Sequence, residues 1–511
     1  MKRAKSKRVS DLGSLPDRWL AILPIAFAAL AILWSQRAEV IDDEGILALI
    51  GAQLVANNPI DALFALKFHP LASTLLAPFS DLGWQAWRLV HIGIGAASVW
   101  LIADAAKSMG KSPWVAGVVM ACSPALMVSA ASGQGNALGV LAQSTALWLY
   151  GRGHHKVLAT ILGVLPLIRA ELGLVSLCVA FALALHWPAK RLKLALIAAV
   201  APVLYTIAAS LYHGELLFWI HVPPTITTGV PHNEIYDFPN ALSEALIMTL
   251  TNLGYVCAIW PVGFAGKWRR RESLGKLAAS CAALALIALT VLPLTGGFVD
   301  FPWPRYLLLA LPGLALSIAD LTSKPRIQPL ICVVAAAIGI WTIASPRQPV
   351  AFEQSFLPPD AAALVEDLTV KESDSMTYTP NMAIAWSLSQ RNHPVRFVPS
   401  HDVHYELWLL LNRANGQYHR LITTLTPLLY GGAMWPCDFR VANTGRASVW
   451  VGDTDPRHSK LKGPLIGSKA HCKTEHGYRV CRGFQRALSQ AWDPILDEAI
   501  MSGPCYRPSL R

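Results

Sequence analysis

Long apolar runs fill the first two thirds of this chain, and they limit its fold more than any other feature. A bilayer-spanning helix needs about 20 apolar residues, because the hydrocarbon core is about 30 Å thick. With 53% apolar and 15% charged residues, the chain is far more apolar than a soluble domain. We therefore predict an integral α-helical membrane protein. The candidate spans lie near residues 19–35, 86–106, 113–131, 135–150, 157–187, 194–212, 241–265, 277–294, 305–321 and 327–344.

The net charge of +11 does not indicate a nucleic-acid partner. Much of the Lys and Arg stands in short clusters between apolar runs, where it orients the chain in the membrane. We therefore exclude nucleic acid as a partner. The basic segment 1–18 precedes an apolar run without a small-residue cleavage site, so we predict a cytoplasmic N-terminus and an uncleaved first span.

The run 157–187 decides how many spans there are. It is too long for one ordinary span, and it carries Arg169 and Glu171 at its middle. If the chain turns at Arg169 into a hairpin of two short spans, the basic loops all fall on one side, the cytoplasmic side. A single span would place the basic loops at 190–193 and 267–276 outside. We therefore predict eleven spans, with Arg169 in a cavity below the outer surface.

This count places everything after about residue 345 outside the cell membrane. The segment 346–511 mixes short β-like stretches such as "SMTYTP", "VRFVPS" and "ASVWVG" with helical ones such as "NMAIAWSLSQ", which predicts a periplasmic α/β domain after a membrane domain at 19–345. An oxidising compartment would permit two disulfides there, in one of three pairings. The four cysteines of this segment are Cys437, Cys472, Cys481 and Cys505.

Three consecutive acids, Asp42, Asp43 and Glu44, follow the first span in an outer loop. The next segment predicts an amphipathic helix along the outer membrane surface. Its apolar positions are Ile46, Leu47, Ile50, Leu54 and Val55. Capping that helix requires only one acid. We therefore predict that Asp43, or otherwise Glu44 or Asp42, is a general base, or that two of them hold a divalent cation.

Two arginines stand where an apolar run meets the outer side. Arg169 either pairs with Glu171 to stabilise the turn or grips a phosphate through its guanidinium group. Arg305, followed by Tyr306, either snorkels to the interface or serves the same site. Weaker signals come from Lys67 and His69 before the second span and from His232 in a proline-punctuated outer loop suited to sugar hydroxyls.

In their order and sidedness, these motifs resemble the C-type glycosyltransferase (GT-C) superfamily. The resemblance is to its bacterial branch, which looks like protein O-mannosyltransferases and the lipid A aminoarabinose transferase. It rests on "DDE", the amphipathic helix, "HP", "LIRAE" and "PRYLLLALP", and it covers about residues 15–345.

The resemblance implies an inverting glycosyltransferase of the bacterial inner membrane. Its donor would be a polyprenyl-phosphate sugar, and its acceptor a lipid, a glycan or a protein of the envelope. Asp43, Glu44 or Asp42 would be catalytic, and Arg169 and Arg305 would bind the donor phosphate. The remaining substrate contacts would come from Lys67, His69, Glu171, His232 and Tyr306. The extra acid, and the lack of an acid in "SGQGN" (132–136), depart from the family pattern and leave a divalent cation as an open alternative.

Two other classes fit an apolar chain with buried charges. A transporter or lipid flippase would line its path with them, but it tends to carry internal repeats, and none is evident here. A polymerase or ligase acting on polyprenyl-linked glycan would concentrate its chemistry in one large late outer loop, whereas the acids here are in the first one.

Overall fold

The fold was analysed in a computed structural model of the chain. It describes residues 20–35, 45, 48–49, 51–52, 55–56, 59–64, 70–169, 172–186, 190–213, 277, 281, 308–321, 327–344, 359–372, 375–379, 384, 387–388, 391, 393, 395–397, 448–453, 471–476 and 478–482. All statements below concern these residues.

The apolar runs form helices close to their predicted bounds. The helices of the first part are α1 (Ile22–Ser35), α2 (Pro59–Leu63), α3 (Pro70–Leu76), α4 (Trp84–Ser108), α5 (Pro113–Ala121), α6 (Pro124–Ala131), α7 (Asn136–Arg152), α8 (His155–Ile168), α9 (Leu172–His186) and α10 (Arg191–His213). Further along follow α11 (Leu311–Leu321), α12 (Gln328–Ala344) and α13 (Pro359–Lys371), and short 3-10 helices cover Ala77–Leu82 and Leu308–Ala310.

The structure confirms the membrane class and leaves the count of eleven spans a prediction. By length and composition, Trp84–Ser108 and Arg191–Tyr212 can each cross a bilayer. Helices α5 and α6 together pass the same test, with a bend of 56° between them. The bend follows from the sequence, because Ser112 and Ser123 each cap a helix whose first residue is a proline. The predicted span at 241–265 lies outside the described residues, as does the one at 277–294 except for residues 277 and 281, which are helical.

Helix α4 is the centre of the membrane part. It packs against α1, α5, α6 and α7, and its buried residues include Trp87, Ile92 and Val99. Close approach depends on small residues, since a Cβ on Gly95 would lie 2.7 Å from the Phe27 ring of α1. Apolar side chains on α9, α10 and α12 remain exposed, as lipid-facing helices require.

The amphipathic helix after the acids is confirmed at the described positions between 45 and 56, which are helical. Its described buried side includes Val55, as predicted. Leu49, Ala52 and Val55 are buried at helical spacing. Of the predicted apolar positions, only Val55 lies among the residues whose side chains are described.

Five strands in the C-terminal segment form one mixed sheet. They are β1 (Met376–Thr379), β2 (Val395–Phe397), β3 (Ser448–Asp453), β4 (His471–Glu475) and β5 (Tyr478–Arg482), in the order β2-β1-β3-β5-β4. Strands β1, β2 and β3 are parallel, and β4 and β5 form an antiparallel hairpin beside them. The three predicted strands match β1 to β3, while the hairpin was not predicted. The periplasmic placement of this segment stays a prediction.

Candidate active site

The predicted hairpin around Arg169 is present. Helix α8 ends at Arg169, whose backbone is extended, and α9 begins at Leu172. The two helices pack antiparallel to each other, as the hydrogen bond from the Ser176 hydroxyl to the Leu162 carbonyl over 2.9 Å shows. These two residues are equally far from Arg169 in the chain. The turn is closed by Leu172 N–H, which donates to the Arg169 carbonyl over 3.1 Å.

The Arg169 side chain lies across helix α7 and is only 4% exposed. A Cβ placed on Gly139 of α7 would lie 3.0 Å from Cδ of Arg169 and 3.4 Å from Cδ2 of Leu309. Gly139 therefore provides the room in which the arginine stem meets the start of the late helix. Leu309 follows Arg305 by four residues in the chain.

The helix that follows the three acids begins at the turn between α6 and α7. A Cβ on Gly45 would lie 2.0 Å from the carbonyl oxygen of Ser132 and 3.2 Å from the Trp84 ring. Only a glycine allows this approach of two backbones. Gly45 directly follows Glu44, the last of the three acids, in the chain.

Three motifs that are far apart in sequence thus converge on the start of α7. Gly45 contacts Ser132, while Arg169 and Leu309 both contact Gly139, seven residues further on. Seven residues of turn and helix span on the order of 10 Å. The structure therefore brings together Arg169, the residue that follows the acids and the helix that follows Arg305.

The other predicted site residues lie outside the described residues. They are Asp42, Asp43, Glu44, Lys67, His69, Glu171, His232, Arg305 and Tyr306. In the described part of the chain, no three metal-ligating side chains lie close enough to hold an ion.

Arg88, on α4, is a site neighbour that the sequence reasoning missed. Its side chain is 5% exposed and donates to the carbonyls of Ala131 over 2.7 Å and Ser35 over 3.0 Å. The indole N–H of Trp87, the preceding residue of α4, donates to the Gly133 carbonyl over 3.0 Å. The only signal in the sequence is an arginine near the start of an apolar run, which an interfacial residue would show equally well.

Polar side chains continue inward along α7 from the site. Gln143 stands one turn below Gly139 and is fully buried, and neither its side-chain oxygen nor its nitrogen has a hydrogen-bond partner within the described structure. Ser132 and Asn136, both in the "SGQGN" turn, are also fully buried. The start of α7 is therefore a polar region enclosed by apolar helices, and such a region suits a charged ligand group better than lipid.

Apolar helices around a short-armed hairpin with a buried arginine, followed by a mixed sheet, define an α-helical membrane protein with a C-terminal sheet. Among solved structures, the chain is similar to ArnT from Cupriavidus metallidurans in the apo state. The TM-score is 0.57 at 15% identity, over 90% of this chain and 99% of that chain. It is equally similar to ArnT from the same organism bound to undecaprenyl phosphate, with a TM-score of 0.58 at 15% identity over 92% and 100%.

The sequence itself matches no protein-family model and no curated protein. The likeness to the two ArnT structures is one of fold, and it agrees with the resemblance that the sequence motifs indicate.

Proposed function

We propose that this protein is a glycosyltransferase that moves a sugar from a polyprenyl-phosphate donor to an envelope acceptor at the periplasmic face. The convergence of Gly45, Arg169 and Leu309 on the start of α7 carries this proposal. The residue that follows the acids and a buried cation both lie near this polar region, which supports the proposal. A transfer from a phosphate-linked donor requires both a carboxylate and a cation.

The donor phosphate is assigned to Arg169, with Arg305 as its second cation. A guanidinium group binds phosphate through two parallel hydrogen bonds, and burial strengthens this interaction. ArnT, which shares the fold, has been solved with undecaprenyl phosphate bound. The same class of lipid is therefore the donor carrier proposed here.

We assign to a carboxylate the role of general base, which accepts the proton of the acceptor hydroxyl. In a single displacement, the acceptor oxygen bonds to the anomeric carbon while the bond from that carbon to the phosphate oxygen breaks. The acceptor's proton passes to the carboxylate, and the polyprenyl phosphate leaves held by the arginines. We assign the base to Asp43, with Glu44 and Asp42 as alternatives. Without a covalent intermediate, the anomeric configuration inverts.

The remaining assignments follow from the same proposal. Lys67, His69, Glu171, His232 and Tyr306 contact the sugar or the acceptor. Residues 19–345 form the catalytic membrane domain between the cytoplasmic segment 1–18 and the periplasmic segment 346–511. The acceptor is a glycolipid, a glycan or a protein.

Consumption of polyprenyl-phosphate sugars by purified protein tests the proposal. We expect turnover by the wild type, a loss of about 10²-fold to 10⁴-fold in Asp43→Asn, and about 10²-fold to 10³-fold in Arg169→Ala. Thermal stability should be unchanged in both. Asp81→Asn and Arg191→Ala are matched controls, because both side chains are exposed and lie outside the convergence.

Two results would contradict the proposal at different levels. A wild type that consumes no donor from a broad panel overturns the transferase and favours a transporter or flippase. Full activity in both Asp43→Asn and Arg169→Ala overturns the site and leaves the transferase standing.

A further inference from the structure

Arg88 forms a buried contact whose acceptors are all neutral within the described structure. Its Nε donates to the Ala131 carbonyl over 2.7 Å, Nη2 to the Ser35 carbonyl over 3.0 Å and Nη1 to the Gln85 side-chain oxygen over 3.3 Å. An enclosed guanidinium group is costly unless its donors are satisfied. The two carbonyls therefore have to satisfy the donors of this buried guanidinium group.

Both carbonyls belong to the last residues of helices. Ser35 ends α1 and Ala131 ends α6. The last carbonyls of a helix lack partners within it, and they carry the negative end of the helix dipole. Arg88 thus satisfies two helix ends at once, and its charge is stabilised by both. It joins the outer end of α4 to the ends of α1 and α6.

The contact between Arg88 and Ser35 concerns the three acids, because Ser35 directly precedes the segment that carries them. The segment 36–44, which carries Asp42, Asp43 and Glu44, begins directly after Ser35 and ends directly before Gly45. The Ser35 carbonyl accepts from Arg88, and Gly45 lies against Ser132 and Trp84. Because Ala131 and Ser132 are neighbours, the two residues that flank the acidic segment both contact one patch. We call this patch, formed by Trp84, Arg88, Ala131 and Ser132, the anchor.

We propose that Arg88 is a positioning residue, which fixes Ser35, the residue before the acidic segment, beside the turn that receives Gly45, the residue after it. The catalytic role of Arg88 rests on the proposed function, whereas its structural role rests only on the contacts of the anchor. Arg88 touches carbonyls and a neutral side chain, so it acts through the segment it fixes. A displacement of about 1 Å of a catalytic group can cost on the order of 10²-fold in rate.

Two variants loosen opposite ends of the same segment. Arg88→Lys keeps the charge but lacks the planar fork that reaches two helix ends at once. Gly45→Ala places a methyl group 2.0 Å from the Ser132 carbonyl, so the second end must move away. Gly93→Ala and Gly135→Ala are the controls, because a Cβ at either position meets nothing within 4 Å.

The first measurement is hydrogen exchange at short times in the peptide 36–47 of the full-length protein. We expect faster exchange there in Arg88→Lys and Gly45→Ala than in the wild type and both controls, with the peptides of α5 and α8 unchanged. Equal exchange in all five proteins overturns the proposal. So does complete exchange of this peptide in the wild type at the first time point, because the segment is then not held.

The second measurement separates positioning from folding. We expect kcat to fall about 10-fold to 100-fold in each variant while KM for the donor stays within about twofold, since Arg169 holds the phosphate independently. The double variant should lose less than the product of the two single losses, because both release one segment. A rise in KM that matches a loss of thermal stability would show a merely structural role.

The two measurements also distinguish the two proposals. If the wild type consumes no donor, the proposed function fails, and the exchange of 36–47 still decides whether Arg88 holds the segment. If the wild type is active and the exchange is unchanged in both variants, the positioning role fails alone.

Discussion

Gly139 sets the space that the Arg169 side chain has in the candidate site. The Arg169 stem and Leu309 occupy the space next to the position that a Cβ at residue 139 would take. One added methyl group would therefore crowd the site. In most helices, alanine in place of glycine stabilises by about 1 kcal/mol. Here the same change also acts on the side chain proposed to bind the donor phosphate, so stability and binding should move in opposite directions.

We therefore expect Gly139→Ala to raise KM for the polyprenyl-phosphate donor by about threefold to tenfold, because the arginine stem must shift by a few tenths of an ångström. Thermal stability should be equal to that of the wild type or slightly higher. Initial rates over a range of donor concentrations measure the change. Gly135→Ala, one turn away and also with helical backbone angles, should leave KM unaltered. A KM equal to that of the wild type in Gly139→Ala would separate Arg169 from the donor.

Arg169 could be selected as a candidate site residue from the sequence, whereas Arg88 could not. Arg169 is conspicuous in the sequence because it interrupts an apolar run at its middle. Arg88 stands near the start of a run, where interfacial arginines are common. Two of its three acceptors are main-chain carbonyls of other helices, and main-chain carbonyls leave no mark in a sequence. Tertiary contacts of this kind could not be predicted.

At the scale of elements, charge was the better guide to helices and alternation the better guide to strands. Helices α8 and α9 could be separated because a single span would have violated the positive-inside rule. The hairpin of β4 and β5 escaped notice because "HCKTE" carries little β-branched or aromatic character. Long-range ion pairs help to hold it. Arg482 of β5 donates to Glu475 over 2.5 and 2.8 Å and to Glu372 over 2.7 Å.

This ion-pair group makes the hairpin sensitive to acid. Hydrogen bonds from Arg482 hold the pKa of Glu475 below its ordinary value, and the two carboxylates raise the pKa of Arg482. A carboxyl group with a lowered pKa in the folded state stabilises that state at neutral pH. Its contribution disappears as the pH falls through the folded pKa. The hairpin should therefore loosen below the ordinary titration range of a glutamate.

We expect Glu475→Gln to weaken the hairpin at pH 7 by about 1 kcal/mol, the upper range for a partly exposed pair. Exchange of the β4–β5 peptide should then be roughly fivefold faster than in the wild type. As the pH falls through the lowered pKa of Glu475, the difference between the two proteins should shrink, because the wild-type carboxylate becomes protonated. Glu366→Gln removes an exposed acid of α13 and serves as the control. A difference that stays constant throughout an acid titration would assign the effect to packing.

For the whole molecule, the sidedness of the C-terminal segment can be tested through its cysteines. The register of the hairpin pairs Cys472 directly with Cys481. Glu475 and Tyr478 flank a two-residue turn and form the first hydrogen-bonded pair, so alternation makes 472 and 481 a non-hydrogen-bonded pair with Cα atoms about 4.5 Å apart. That separation suits a disulfide. Of the three pairings, the backbone therefore favours the one that joins Cys472 to Cys481.

We expect non-reducing peptide mapping of protein purified from membranes to find Cys472 joined to Cys481. A thiol–disulfide oxidoreductase of the outer compartment would accept the two electrons, and two protons would be released. Cys178 and Cys332, which lie in apolar helices, should remain thiols and serve as internal controls. Free thiols at both 472 and 481 would contradict the periplasmic placement of the segment.

The shortness of the hairpin arms also bears on the surrounding lipid. Helices α8 and α9 have 14 and 15 residues, which corresponds to about 21 to 23 Å, against a hydrocarbon thickness of about 30 Å. In the proposed spanning hairpin, the resulting hydrophobic mismatch would be relieved by local thinning of the bilayer or by a water-filled depression above Arg169. In the proposed transferase, a donor phosphate would then reach the arginine without leaving water completely. Bilayer thickness would thereby affect catalysis, and lipids with longer acyl chains should slow the encounter between donor and enzyme.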